Sequence, residues 1–138
     1  MLTPLRPHLL GSVNFSRFQS AYRKGYSTET ALLQVLDNVY TVAHDKQVTV
    51  LIGLDLSAAF DTVNHGILLE RLQSEFSIRG TPLAWLQLYL EGRTQFVKLG
   101  LHQSPVMKLE VGVLQGSVLG PLLFAVYCSP VGDIITDQ

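Results

Sequence analysis

The chain has 138 residues, 47% apolar and 15% charged, which excludes a disordered tail and suits one domain with a real core, or a piece of a larger one. Its formal net charge of −1 argues against a stand-alone nucleic-acid binder. The single cysteine, Cys128, excludes a disulfide framework within the chain and fits a reducing compartment, so an intracellular setting, nuclear or cytoplasmic, is expected.

Residues 1–26 read as an irregular, turn-rich leader set apart from a domain over 27–138. The leader's apolar stretch is short and broken by Pro4 and Pro7, so it makes a poor secretory signal. Through residue 28 it carries Arg6, Arg17, Arg23 and Lys24 and no acid, with Phe15, Phe18, Tyr22 and Tyr26 interleaved. Basic and aromatic groups together suit a phosphate backbone with stacked bases. A solvated leader with no partner has the same composition. A helix is expected from Ser27 or Thr28, either able to cap it, with Glu29 in the first turn. Leu32, Val35, Leu36, Val39, Val42 and Ala43 then give one apolar stripe to about His44.

The run "QVTVLIGLDL" (47–56) is expected to be a strand. Val48, Val50, Ile52, Leu54 and Leu56 share one face, which must pack on helices. Thr49, Leu51, Gly53 and Asp55 share the other. Gly53 removes a side chain beside Asp55, so a ligand or another backbone can come close. A buried acid there is costly unless something meets it. Asp55 therefore reads either as a cap on the next turn, through amides near Ala58, or as a ligand-facing carboxylate. Asp61, beyond the turn Ser57–Val63, reads as a local cap or a partner of Arg71, since one carboxylate alone makes no site for a hard divalent cation.

A helix around Ile67–Phe76 is expected to turn Leu68, Leu69, Leu72 and Phe76 inward. "GTPLAWLQLYLEG" reads as a short helix with Thr81 as N-cap, Pro82 at the first helical position and Gly92 past its end. It is apolar nearly all round, which predicts burial. Residues 94–101 and 105–112 read as two strands joined by "LHQS" in an antiparallel hairpin. Gly112 to Ser117 is a turn. An apolar helix follows to about Cys128, where Pro130 ends it. "VLGPLLFAVYCSPV" falls short of the ~20 residues of a membrane span, so no membrane partner is expected. The order favours an α+β fold, a small antiparallel sheet packed on helices.

In "GVLQGSVLGP" (112–121), Gly116, Gly120 and Pro121 give a backbone that can approach something flat or charged. Gln115 adds an amide with two donors and an acceptor. His8, His44, His65 and His102 lack metal-ligand spacing, and the chain shows no Ser-His-Asp, Cys-His, phosphate-loop or zinc pattern.

These motifs carry a resemblance. "LDLSAAFDTVNH" resembles the first catalytic palm motif of reverse transcriptases in the form seen in LINE-type (non-LTR) retrotransposons, and "GVLQGSVLGPLLFAVY" is similar to their second. "FQSAYRKGYSTETALLQVLDN" resembles the segment between fingers and palm, and "LAWLQLYLEGRTQFV" the linking helix and following strand. The likeness runs from about Phe18 to the C-terminus and implies part of the palm and fingers of a right-hand RNA-directed DNA polymerase. It implies that Asp55 holds catalytic Mg²⁺, with the Leu56 carbonyl reaching a second ion. It implies that Ser57, Ala58 and Ala59 border the incoming nucleotide, with Phe60 under its sugar, and that Gln115 and Gly116 line the nucleotide and template pocket. Arg23 and Lys24 would lie near the nucleic-acid path. The implied partners are an RNA template, a DNA primer and deoxynucleotides.

The chain departs from the family pattern at Asn64, usually Asp, and at Leu114, usually Pro. The third palm motif, an aromatic–Ala–Asp–Asp hairpin, is not found after "SPVGDIITDQ", where Asp133 and Asp137 do not form the required pair. Two like-charged metals need several negative ligands. The chain by itself is therefore expected not to polymerise and, with the strand ending at Asp55 lacking its sheet partner, to have weak independent stability. The alternatives are a retained nucleic-acid- or protein-binding module, or an incidental reading frame.

Overall fold

The computed structural model describes residues 2–136. Among these are six helices: α1 (Leu2–Leu10), α2 (Thr28–His44), α3 (His65–Ser74), α4 (Thr81–Leu90), α5 (Gly120–Tyr127) and α6 (Val131–Thr136). Four two-residue strands, β1 (Thr94–Gln95), β2 (Lys98–Leu99), β3 (His102–Gln103) and β4 (Met107–Lys108), lie between α4 and α5. The mixed α+β composition is the one expected.

The core is helical. Leu68 and Leu72 of α3, Leu86 and Leu90 of α4, and Leu122, Leu123, Ala125 and Val126 of α5 are buried together with Val63, Phe76, Ile78 and Val113. The i, i+4 spacing of the first two pairs puts each on one helix face. α3 packs against both α4 and α5. Asn64 starts α3, its Oδ1 accepting from the Ile67 amide at 3.0 Å. Asn caps as well as the family's usual Asp does, because each offers one side-chain oxygen to the same amide. The N-cap of α4 is Gly80 rather than Thr81, with Pro82 in the first turn, where a missing N–H loses no bond. Only one side of α4 is covered: Trp85 and Leu88 face outward, contrary to the all-round burial expected from its composition.

Three further expectations are corrected. First, the leader begins with α1. Pro4 sits in the first turn, where the helix has no bond to lose, and Leu5 and Leu9 share a face that buries into the core with Phe15. His8 Nε2 bonds the Phe76 carbonyl at 2.7 Å and ties α1 to the end of α3.

Second, residues 47–56 form no strand, and every one of them is exposed. A strand's hydrogen bonds are made to a neighbour, and the described residues with strand character, the hairpin, pair with themselves. The apolar stripe of α2 is likewise uncovered: α2 buries no residue.

Third, the hairpin turns at Gly100–Leu101 rather than over 101–104, since Leu99 pairs with His102 and Lys98 with Gln103. Thr94 pairs with Lys108 and Gln95 with Met107, so the two ladders are out of step by one residue. The extra residue lies at 105–106, beside Pro105, which has no N–H to give a ladder. All paired residues are exposed, so the sheet stands off the helices rather than packing on them.

Candidate functional site

The two motif segments meet through their backbones. The Val113 amide donates to the Phe60 carbonyl and the Gly112 amide to the Val63 carbonyl, each at 2.8 Å. Asn64 and Val111 form an antiparallel bridge. His65, buried at the start of α3, holds the Gly112 carbonyl through Nε2 at 2.7 Å. Gly112 allows this approach: it sits at φ +93°, and a Cβ there would stand 3.1 Å from the Asp61 carbonyl oxygen. The turn preceding α3 and the turn preceding α5 are thus one surface.

Ser117 fixes the second turn. Its hydroxyl donates to the Leu114 carbonyl at 2.7 Å and accepts from the Gly120 amide at 2.9 Å. A Cβ at Gly120 would stand 2.7 Å from that same carbonyl, so glycine is required there. Because the Leu114 carbonyl is the group used, leucine in place of the family's proline leaves the turn closed. Gln115 and Gly116 lie exposed at its tip.

A cleft of about 550 Å³ opens beside this surface. Asp61, His65, Tyr89, Arg93, Gln95 and Gln115 supply its polar wall, and Leu90, Leu109 and Val113 part of its apolar wall. Of the site residues expected from sequence, Gln115 alone is on it. Phe60 is half-buried, its ring 4.9 Å from that of Phe124 and packed on α5.

Asp55, Leu56, Ser57 and Ala58 are exposed, off the cleft wall, and Ala59 is half-exposed at the start of the turn. Asp55 makes no hydrogen bond or ion pair among the described residues. The cap it was read as a candidate for is not formed; the turn closes instead through the Ala58 carbonyl, which accepts from Asp61 and Thr62. Gly53 has open space where a Cβ would be. Arg71 pairs with Glu75 at 3.1 Å rather than with Asp61, and donates to the Tyr127 carbonyl.

The leader's charges are partly spent on its own folding. Arg23 lies 5.0 Å over the Tyr26 ring and 5.8 Å over that of Phe15, and donates to the Gln19 carbonyl at 3.4 Å. Arg6 holds the Tyr22 carbonyl at 3.2 Å. Arg17 lies over Phe18, and Lys24 is exposed.

Among the described residues no group of three or more His, Cys, Asp and Glu side chains could hold a metal ion. Asp55 and the Leu56 carbonyl therefore do not by themselves fit a divalent cation, which takes several oxygen ligands. Asp133 lies in α6, and Asp137 lies outside the described residues. Burial pushes the Cys128 thiol up, offset in part by the Arg71 charge, so it is no ready nucleophile. No helix among the described residues is long and apolar enough to cross a membrane.

Sequence reasoning did not single out Tyr89, Arg93 or Ser117. Tyr89 lies in the helix read as apolar nearly all round, and Arg93 falls just past its end, where no role was read. The Ser117–Gly120 spacing, a hydroxyl three residues before an amide that opens a helix, was the one signal available.

The family model for "Reverse transcriptase (RNA-dependent DNA polymerase)" matches residues 1–138. The chain is 33% identical over 115 residues to the "RNA-directed DNA polymerase from mobile element jockey" of Drosophila melanogaster, covering 82% of this chain and 12% of that protein. It is 34% identical over 109 residues to the same fly's "Probable RNA-directed DNA polymerase from transposon X-element", covering 79% and 12%. Against the fly's "Probable RNA-directed DNA polymerase from transposon BS" the identity is 31% over 109 residues, again 79% and 12%. The chain thus spans about 12% of the length of these relatives. No solved structure matches it.

Proposed function

The chain belongs to the reverse transcriptase family, in the form carried by LINE-type (non-LTR) retrotransposons, and we propose that it supplies the nucleotide-facing part of the palm of an RNA-directed DNA polymerase. The observation that carries this reading is the fusion of the two motif segments by the Phe60–Val113 and Val63–Gly112 backbone bonds. Those bonds join the turn that follows Asp55 to the residues just before Gln115 and Gly116, which supports a pocket bounded by both motifs.

In this reading Asp55 is the carboxylate that holds Mg²⁺, helped by the Leu56 carbonyl. Ser57, Ala58 and Ala59 border the nucleotide, Phe60 supports its sugar, and Gln115 and Gly116 line the nucleotide and template pocket. Arg23 and Lys24 flank the path of an RNA template and DNA primer, with deoxynucleotides as substrate. The polymerase works inside the cell, in nucleus or cytoplasm, in keeping with the absence of any intrachain disulfide. The ion, when bound, supplies the positive charge of phosphoryl transfer. These 138 residues do not complete its ligand set, so alone they extend no primer.

Primer extension on an RNA template with Mg²⁺ is the test. No template-dependent product is expected from the chain alone. A product that Asp55→Ala abolishes would overturn the claim of incompleteness while confirming Asp55.

The basic, aromatic leader supports a second reading, that of a nucleic-acid-binding module without catalysis. Arg17 and Arg23 lie against the rings of Phe18, Phe15 and Tyr26, and Lys24 stands free in solvent. Binding of a primer–template duplex that weakens as salt rises supports it; binding indifferent to salt does not.

A further inference from the structure

The bare run after α2 has the backbone of a strand. From Gln47 to Ser57 no residue has a positive φ, and the stretch is bounded by two that do, Lys46 at +56° and Ala58 at +52°. Among the described residues, no backbone amide or carbonyl from Val48 to Ser57 makes a hydrogen bond. Val48, Val50, Ile52, Leu54 and Leu56, which share one face, are each more than three-fifths exposed. Nothing between Lys46 and Asp55 carries a charge. Free donors and acceptors on an uncharged, β-branched sequence are what a strand edge offers to another strand.

The described strands are already paired among themselves, so the run's partner comes from elsewhere. Its sequence fits a second copy of itself. The stretch 47–57 is centred on Ile52, and a two-fold axis through that centre, normal to the strands, makes the pairing antiparallel. Val48 then opposes Leu56, Val50 opposes Leu54, and Ile52 opposes its own copy. Opposed residues share a face, so these pairs form one continuous apolar surface. On the other face each Asp55 meets the Thr49 hydroxyl of the second copy, a donor for its carboxylate. Parallel pairing in register would instead lay Asp55 on Asp55 and Lys46 on Lys46, opposing like charges.

A two-stranded ribbon is marginal in water unless a helix packs on its apolar face. α2 leads into the run through a single turn at Asp45–Lys46, and its own stripe, with Leu32 and Leu36, is exposed. Those two leucines and the five apolar residues of the run offer on the order of 800 Å² per copy, what a specific dimer takes from each partner.

We propose that residues 47–57 of two copies pair as an antiparallel ribbon about a two-fold axis at Ile52, with α2 of each copy over its apolar face. The chain is then a homodimer when concentrated. In the dilute monomer the run stays unpaired and its amides exchange as free chain. The proposal rests on the bare run, not on the polymerase reading.

Sedimentation velocity from roughly 1 to 100 μM tests the association. Monomer is expected to give way to dimer across that range. Ile52→Lys sets two like charges together on the apolar face and should weaken association roughly tenfold or more. Leu51→Thr, on the other face, should leave it within about two-fold. Cross-linking with copper phenanthroline as oxidant, in a Cys128→Ser background, reads the register. Ile52→Cys should link to itself. Val48→Cys should link to Leu56→Cys in a mixture and not to itself. A chain that stays monomeric across the range, or that grows into open-ended assemblies, overturns the proposal. So does parental association in Ile52→Lys, or self-linking of Val48→Cys as ready as that of Ile52→Cys. Should Ile52→Lys lose its helical signal, the cross-linking pattern decides: the stated pairs support the ribbon, and indiscriminate or absent linking overturns it.

Discussion

α2 with the run that follows it, residues 28–56, and the helices α3, α4 and α5 carry comparable apolar patterns, yet only those three helices bury theirs. α3 buries His65, Leu68 and Leu72, whereas α2 buries nothing, and Leu51, Ile52 and Leu54 lie more than seven-tenths exposed. Within the bare region the two elements behave differently. α2 keeps its helix because a helix makes its hydrogen bonds to itself, and because Ser27 and Thr30 close a reciprocal cap at its start. The run 47–56 keeps no strand because a strand's bonds go to a neighbour. Apolar periodicity is therefore enough to specify a helix, but a strand needs a partner in the same polypeptide or another.

The largest effect expected from this contrast is in the core. Leu68→Ala should cost about 2–5 kcal/mol in a denaturant melt, by lost burial and the cavity left behind. Leu51→Ala should stay within roughly 0.5 kcal/mol of the parent, as an exposed position does. Equal losses would mean that the exposed run is packed in solution. Next in size, Ser27→Ala should cost α2 about 0.5–2 kcal/mol. The loss should appear as reduced helical signal from α2 alone, with the denaturant midpoint of the core unmoved. A shift of that midpoint would couple the two regions.

The sequence made α2, α3, α4 and α5 legible, because each has apolar residues at helical spacing and a start or stop residue. It also made the hairpin legible, though not its step near Pro105, where a missing amide rather than a hydrophobic pattern decides the pairing. α1 was hidden by Pro4, which costs little in the first turn, and by Pro7, which sits inside the helix and is tolerated there beside the burial of Leu5 and Leu9. The motif lettering located Gln115 on a cleft, but the cleft's cation and phenol were out of reach. Arg93 and Tyr89 come together with Asp61 only once α4 and the hairpin have folded around Gly112.

The smallest effect expected is with pH. The Glu29 carboxyl is held below its usual range, first by a hydrogen bond from Ser27, then by its own backbone amide and by Thr28. A lowered folded-state value means that its support for α2 is complete above the unfolded value and is lost as pH falls through the folded one. Helical signal from α2 should therefore decline on acidification through the carboxylate range, and Glu29→Gln should flatten that decline. A decline of the same size in the variant would place the titrating group elsewhere.

Amide hydrogen exchange across the chain tests the division most directly. The account predicts that amides of residues 48–56 exchange at the rate of unstructured chain, while those of α3 and α5 and the Val113 amide bound to Phe60 are slowed together. Protection of residues 48–56 equal to that of α3 would contradict it, and would mean that the run ending at Asp55 finds a strand partner that these 138 residues do not show.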